Sequence, residues 1–162
     1  MALLRAGMAE IKLGGPGDKL QALGLGSCVG LIMYDRSNHI GGMAHIMLPD
    51  SKVSRNEVTQ LGKFADTAVP ELLANVLAKG ATRTRLVIKM AGGSEMFSFA
   101  GKDSPKLAVG QRNVEATREH LKLAGLRIES QDVGGNHGRT LEIDLDTLET
   151  TIKIVGQAVK PL

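Results

Sequence analysis

Gly24-Leu25-Gly26-Ser27-Cys28 opens into the apolar run Val29-Gly30-Leu31-Ile32-Met33-Tyr34, which ends at a polar tip, Asp35-Arg36-Ser37-Asn38, before a second run reaching Pro49. Two apolar runs around a short polar tip predict a β-hairpin. Cys28 stands at the start of its first strand and His45 toward the end of its second. Antiparallel strands return side by side, and counting outward from the tip sets His45 opposite Val29 or Cys28. The chain's one thiol and one of its four imidazoles are thus expected to meet.

That meeting has a chemical use. At neutral pH a free thiol is mostly protonated, and only the thiolate is a strong nucleophile. A neighbouring imidazole can take the proton and later deliver it to a leaving amine. Hydrolysis of a carboxamide needs both events. The glycine turn before Cys28 permits unusual dihedrals and close backbone approach. Its N–H groups, at positions such as Gly26 and Ser27, could face a developing oxyanion. The spacing alone leaves open the alternative of an inert, buried thiol acting as a small hydrophobe.

Working outward, Ile11 and Leu13 predict a strand stopped by Gly14-Gly15-Pro16-Gly17, and Leu20–Leu23 a second that delivers the chain to the glycine turn. Asp50–Gly62 is polar and reads as a loop. From Ala65, apolar residues recur at Ala68, Val69, Leu72, Leu73, Val76 and Leu77, one face of a helix. Gly80 is its natural stop, and Pro70 should kink it or lie in its first turn. Leu86-Val87-Ile88 predicts a buried strand. A second helix is expected from Asn113 to Ala124, with Asn113 as N-cap and Gly125 as stop. Strands follow at Arg127–Ser130, Leu141–Leu145 and Leu148–Ile154. Strands outnumber helices and cluster, so the fold class expected is α/β of the α+β-like kind, layered, in a single domain spanning 1–162.

Bulk properties narrow the function. The 162 residues are 43% apolar, but no run is long enough to cross a bilayer. Met1-Ala2-Leu3-Leu4 is broken by Arg5 and does not read as a leader. One cysteine makes no internal disulfide, which fits a reducing cytoplasm. The net charge of +3 favours an acidic protein partner. Scattered basic residues and few aromatics (three Phe, one Tyr, no Trp) argue against nucleic acid. Gly24-Leu25-Gly26 lacks the third glycine and following helix of a dinucleotide site. Cys28, His39, His45 and His137 match no compact metal-ligand spacing, so neither metal nor cofactor is expected. Gly92-Gly93 and Gly134-Gly135 could shape a groove or simply turn the chain. Met96 and Phe97 fit either a docking spot or core.

Five ordered blocks carry a family resemblance. Leu23–Gly30 with Gly42–Ser51, Lys63–Val69, Ala91–Phe97, Gly110–Ala116 and Asp132–Asn136 together resemble the chemoreceptor glutamine deamidase family, CheD. The resemblance implies a β-sandwich flanked by helices. It implies conversion of glutamine side chains on methyl-accepting chemotaxis receptors to glutamate, with ammonia released. Residue by residue, it assigns the nucleophile to Cys28 and the general base to His45. The family's third member is a threonine six residues before the cysteine, where this chain has Ala22. Alanine offers no side-chain acceptor, so a backbone carbonyl near residue 22 is expected to hold the imidazole. The expected partner is the receptors' cytoplasmic domain. A second expectation, from the same resemblance, is a regulatory protein that binds and stimulates a CheC-type phosphatase of the response regulator.

Overall fold

In the computed structural model, which describes residues 2–95 and 108–162, the described residues form ten strands and two helices. The strands are β1 (Leu3–Arg5), β2 (Ile11–Gly14), β3 (Lys19–Leu25), β4 (Val29–Asp35), β5 (Gly41–Ile46), β6 (Leu86–Gly92), β7 (Ile128–Val133), β8 (Arg139–Asp144), β9 (Thr150–Lys153) and β10 (Lys160–Pro161). The helices are α1 (Ala65–Lys79) and α2 (Val109–Leu123).

The strands make two five-stranded sheets, ordered β1-β3-β8-β9-β10 and β2-β5-β4-β6-β7. Pairing is antiparallel except for β1 with β3 and β6 with β7. The predicted hairpin is β4–β5, at the centre of the second sheet. Every β4 residue is buried because both faces are covered. Side chains alternate across a strand, so Ile32 and Tyr34 join Leu20, Leu25, Leu141 and Ile143 in a core between the sheets. Val29, Leu31 and Met33 point the other way, against Ala68, Leu72, Val76, Val114 and Leu121 of the helices. The layers are therefore sheet, sheet, helices, with both helices on one outer face. Leu31, Ile32 and Met33 are fully buried, each contributing about 1.5–3 kcal/mol of apolar burial.

The layered α+β reading agrees with this architecture, and α1 occupies the predicted span, with Gly80 at φ 125° ending it. Pro70 lies inside α1 with its side chain exposed. Several boundaries differ. The strand expected to stop at Leu23 continues to Leu25 through a bulge between Ala22 and Leu25 that Gly24 relieves at φ 58°. The strand expected over Leu148–Ile154 is Thr150–Lys153, since Leu148 takes a left-handed φ of 66° in the preceding turn. The second helix starts four residues before Asn113, so Asn113 is a helix-interior residue and not its cap. Met96 and Phe97 lie outside the described residues. Among those described, no helix is long and apolar enough to cross a membrane.

Candidate active site

Cys28 is the last residue of the bend between β3 and β4, half-buried against the inter-sheet core. Burial pushes its thiol pKa up, because a low-dielectric surrounding disfavours the charged thiolate. The three carbonyls of the bend are all engaged. Gly26 O accepts from Ser94 N at 2.8 Å, and Cys28 O from Gly93 N at 2.9 Å. Ser27 O accepts from the Asn113 side chain at 2.8 Å. The amides of Ser27 and Cys28 make no hydrogen bond among the described residues. Anchored carbonyls thus hold the bend in place while these two N–H groups stay unspent.

His45 lies in β5 and is only 4% exposed. Its cross-strand partner is Gly30, not Val29 or Cys28 as counted from the sequence. The tip lies one residue later than that counting assumed: Asp35 is still paired, its N–H donating to Ile40 O, and the second strand resumes at Gly41. The register still sets Cys28 and His45 on one face, because Cys28 and Gly30 are two residues apart and opposed residues share a face. Cys28 is therefore diagonal to the imidazole, and no hydrogen bond joins the two side chains among the described residues.

The N-terminal segment wraps the histidine. His45 N donates to Glu10 O, and His45 O accepts from Ala9 N, both at 3.0 Å. His45 Nδ1 lies 2.9 Å from Ala6 O. A carbonyl only accepts, so Nδ1 carries the proton and Nε2 of the neutral ring has a free lone pair. The acceptor expected near residue 22 is thus a backbone carbonyl, but it belongs to Ala6. Ala6 is nonetheless a neighbour of that region, since its N–H donates to Gln21 O at 2.8 Å. Ala22 itself is fully buried and faces Gly30 across the sandwich, its Cβ 3.7 Å from where a Cβ on Gly30 would stand.

The surroundings hold the bend from its second side. A Cβ on Gly92 would lie 2.2 Å from Cys28 O, so only glycine permits this approach. The loop after Gly92 is fixed in turn by the Gly134-Gly135 turn, with Gly134 N bonded to Gly92 O and Glu95 N to Gly135 O. Arg139, 5% exposed, clasps that turn through Gly134 O, His137 O and Asp132. Burial works to raise the Asp132 pKa, but the Lys160 ammonium and the Arg139 guanidinium outweigh it and hold the carboxyl below its ordinary range. A groove of about 330 Å³ runs from Gly93 along Gln111, Val114 and Arg118 to Gly134 and Gly135. A larger cleft of about 570 Å³, lined by Arg36, Arg83 and Arg127, sits beside Leu86 at the far end of β6 from Gly92. It is remote from Cys28.

The remaining candidates are dispersed. His39 is at the hairpin tip, its Nδ1 2.7 Å from Leu145 O, and His137 lies in the loop before β8. Sequence reasoning missed two contributors. Nothing in a sequence marks the Ala6 carbonyl, which any residue would present. Asn113 was visible as a helix cap and as part of a shared block, not as a contact of the bend.

The family described as CheD chemotactic sensory transduction matches residues 47–154. A probable chemoreceptor glutamine deamidase CheD of Lachnoclostridium phytofermentans is 45% identical over 161 residues, covering 99% of this chain and 98% of the relative. The chemoreceptor glutamine deamidase CheD of Halalkalibacterium halodurans is 42% identical over 160 residues, covering 99% and 98%. A probable chemoreceptor glutamine deamidase CheD of Methanococcus vannielii is 44% identical over 158 residues, covering 98% of each.

Proposed function

The chain belongs to the CheD family of chemotactic sensory transduction proteins, and on that premise we propose that it hydrolyses glutamine side chains of methyl-accepting chemoreceptors to glutamate, with Cys28 as nucleophile and His45 as base. The observation that carries the reading is the bond between His45 Nδ1 and Ala6 O, which leaves Nε2 as the basic nitrogen on the face that Cys28 shares. Nε2 takes the thiol proton, and the sulfur attacks the side-chain carbonyl carbon of glutamine. The tetrahedral oxyanion is met by the N–H groups of Ser27 and Cys28. The imidazolium then protonates the departing nitrogen, and ammonia leaves a thioester on Cys28. Water, deprotonated by the same Nε2, attacks that thioester. Glutamate is released and the thiol takes its proton back.

Burial of Cys28 agrees with this division of labour. A thiol whose pKa is pushed up by burial is a poor nucleophile until a base removes its proton at the moment of attack. The absence of the family's threonine at Ala22 lends some weight to the binding role. The Ala6 carbonyl supplies an acceptor to the ring without it, which favours catalysis over a role confined to stimulating a CheC-type phosphatase. Both roles need a cytoplasmic setting, where receptor signalling domains lie. The deciding experiment is mass analysis of tryptic peptides from a receptor's cytoplasmic fragment after incubation with the protein. Glutamine-to-glutamate conversion that depends on Cys28 is expected. Unchanged peptides alongside retained receptor binding would leave the regulatory role as the better account.

A further inference from the structure

We infer that Asn113 is a positioning residue, whose single NH2 group ties the strand carrying His45 to the bend carrying Cys28. Its Nδ2 donates to Ser27 O at 2.8 Å and to Met47 O at 2.9 Å. Ser27 immediately precedes Cys28, and Met47 is two residues past His45. Each of these carbonyls lies outside the ladder of β4 and β5. One carboxamide therefore bridges the two segments at the point where the hairpin's own hydrogen bonds have ended.

The chemistry of the pair fixes which end of the amide does this. Both partners are carbonyl oxygens, so only the NH2 end can serve them, and its two hydrogens serve one each. The Oδ1 end is buried and makes no hydrogen bond among the described residues. A buried acceptor left unpaired costs about 1–3 kcal/mol. The fold thus carries a standing cost on one end of this side chain while using both hydrogens on the other. An apolar residue would avoid the cost and lose both ties.

Helix α2 is built to bring that amide in. Asn113 is fully buried, one turn after Gly110 on the same helix face. A Cβ at Gly110 would lie 2.4 Å from Ser94 O, so the helix sits directly on the loop that also holds Gly26 O and Cys28 O. Position on a rigid helix, with no exposure, gives the carboxamide little freedom to yield. Misplacing reacting groups by about 1 Å can cost ~10²-fold in rate, and this clamp sets the Cys28–His45 separation.

The inference rests on the proposed reaction for its kinetic arm but has a second arm that does not. Asn113→Ala is compared with Thr117→Val, which removes a buried hydroxyl bonded to Asn113 O within the same helix and touches neither carbonyl. In Asn113→Ala, kcat on the receptor fragment should fall ~10–100-fold with KM within about threefold, since orientation and not docking is lost. Thr117→Val should keep its kcat even if its melting temperature drops as far. Independently, iodoacetamide labelling of Cys28 at neutral pH should slow in Asn113→Ala, because the thiol is separated from its base. A merely loosened fold would expose the half-buried thiol and speed labelling. Unchanged or faster labelling in a cooperatively folded Asn113→Ala protein overturns the inference. Should alanine prevent folding, Asn113→Ser, which keeps one donor, decides by the same two measurements with smaller losses expected. A wild-type protein that releases no ammonia would defeat the proposed reaction, while the labelling comparison would still judge the clamp.

Discussion

His45 Nδ1 lies 2.9 Å from the Ala6 carbonyl, 39 residues earlier in the chain, so the N-terminal segment selects which nitrogen of the ring is free. The neutral imidazole should therefore be the Nδ1–H tautomer, with the lone pair on Nε2. Nitrogen-15 NMR of the ring above its titration range tests this. Finding the proton on Nε2 would remove the base from the proposed mechanism. His45→Ala should lower turnover by about 10²–10⁴-fold, the usual value of general acid–base assistance.

Cys28→Ala should abolish ammonia release and leave the fold intact, because the residue is half-buried at the end of a bend and contributes little core. Cys28→Ser should fail too, since a hydroxyl holds its proton far more tightly than a thiol. Ammonia release from receptor by Cys28→Ala at the wild-type rate would sink the assignment of the nucleophile.

Two glycines near the bend should respond very differently to alanine. Gly24 has φ 58° but open space around its missing Cβ, so Gly24→Ala should cost only the left-handed strain, about 1–2 kcal/mol. Gly92 has φ 109°, and its Cβ would press to 2.2 Å from Cys28 O. Gly92→Ala must displace the carbonyl next to the nucleophile, so it should cost most of the deamidation. Parallel melts and ammonia assays of the two variants check the contrast, and equal activities would contradict it.

What could be read in the sequence follows from where the determining forces lie. The β4–β5 hairpin was legible because its apolar runs and polar tip are local. So was α1, whose apolar face repeats for four turns before Gly80. β1 and β10 were not, being short edge strands with mostly exposed residues that carry no burial pattern. That Cys28 and His45 fall on one face of the hairpin was readable to within two residues of register, since alternation along paired strands fixes it. Asn113 was misread as a cap because its type suits one. Its true role depends on α2 meeting two loops distant in sequence, and no local pattern encodes that. The Ala6 acceptor is a main-chain atom and is silent in any sequence.

Asp35 should set part of the acid stability. It is buried at the hairpin tip. Burial acts to raise its pKa, but N–H groups of Thr82, Ser37 and Asn38 and the Arg85 side chain outweigh it and hold it at about 2. The folded pKa lies below the ordinary 3.8, so the folded state resists protonation. Its contribution is then complete above the ordinary value and is lost as pH falls toward about 2. Wild-type stability should drop across that window more steeply than that of Asp35→Asn, which is less stable at neutral pH and lacks this titration. Denaturant melts at a series of pH values measure both slopes, and parallel slopes would show that Asp35 is not the group responsible.

Ala22→Thr installs the threonine that the family resemblance implies and separates two sources of ring support. Ala22 is fully buried between the sheets, facing Gly30, so two added heavy atoms must be fitted into packed space. Overpacking of this kind typically costs about 1–3 kcal/mol, only partly offset by the good fit of β-branched residues in strands. A lower melting temperature is expected. Deamidation should nevertheless stay near the wild-type rate, because the Ala6 carbonyl already fixes the tautomer and orientation of His45. A rise of tenfold or more would show that the carbonyl is an inadequate substitute and that a hydroxyl at position 22 contributes to the reaction. A fall matching that of His45→Ala would show instead that the inter-sheet packing over Gly30, and not the acceptor, governs the site.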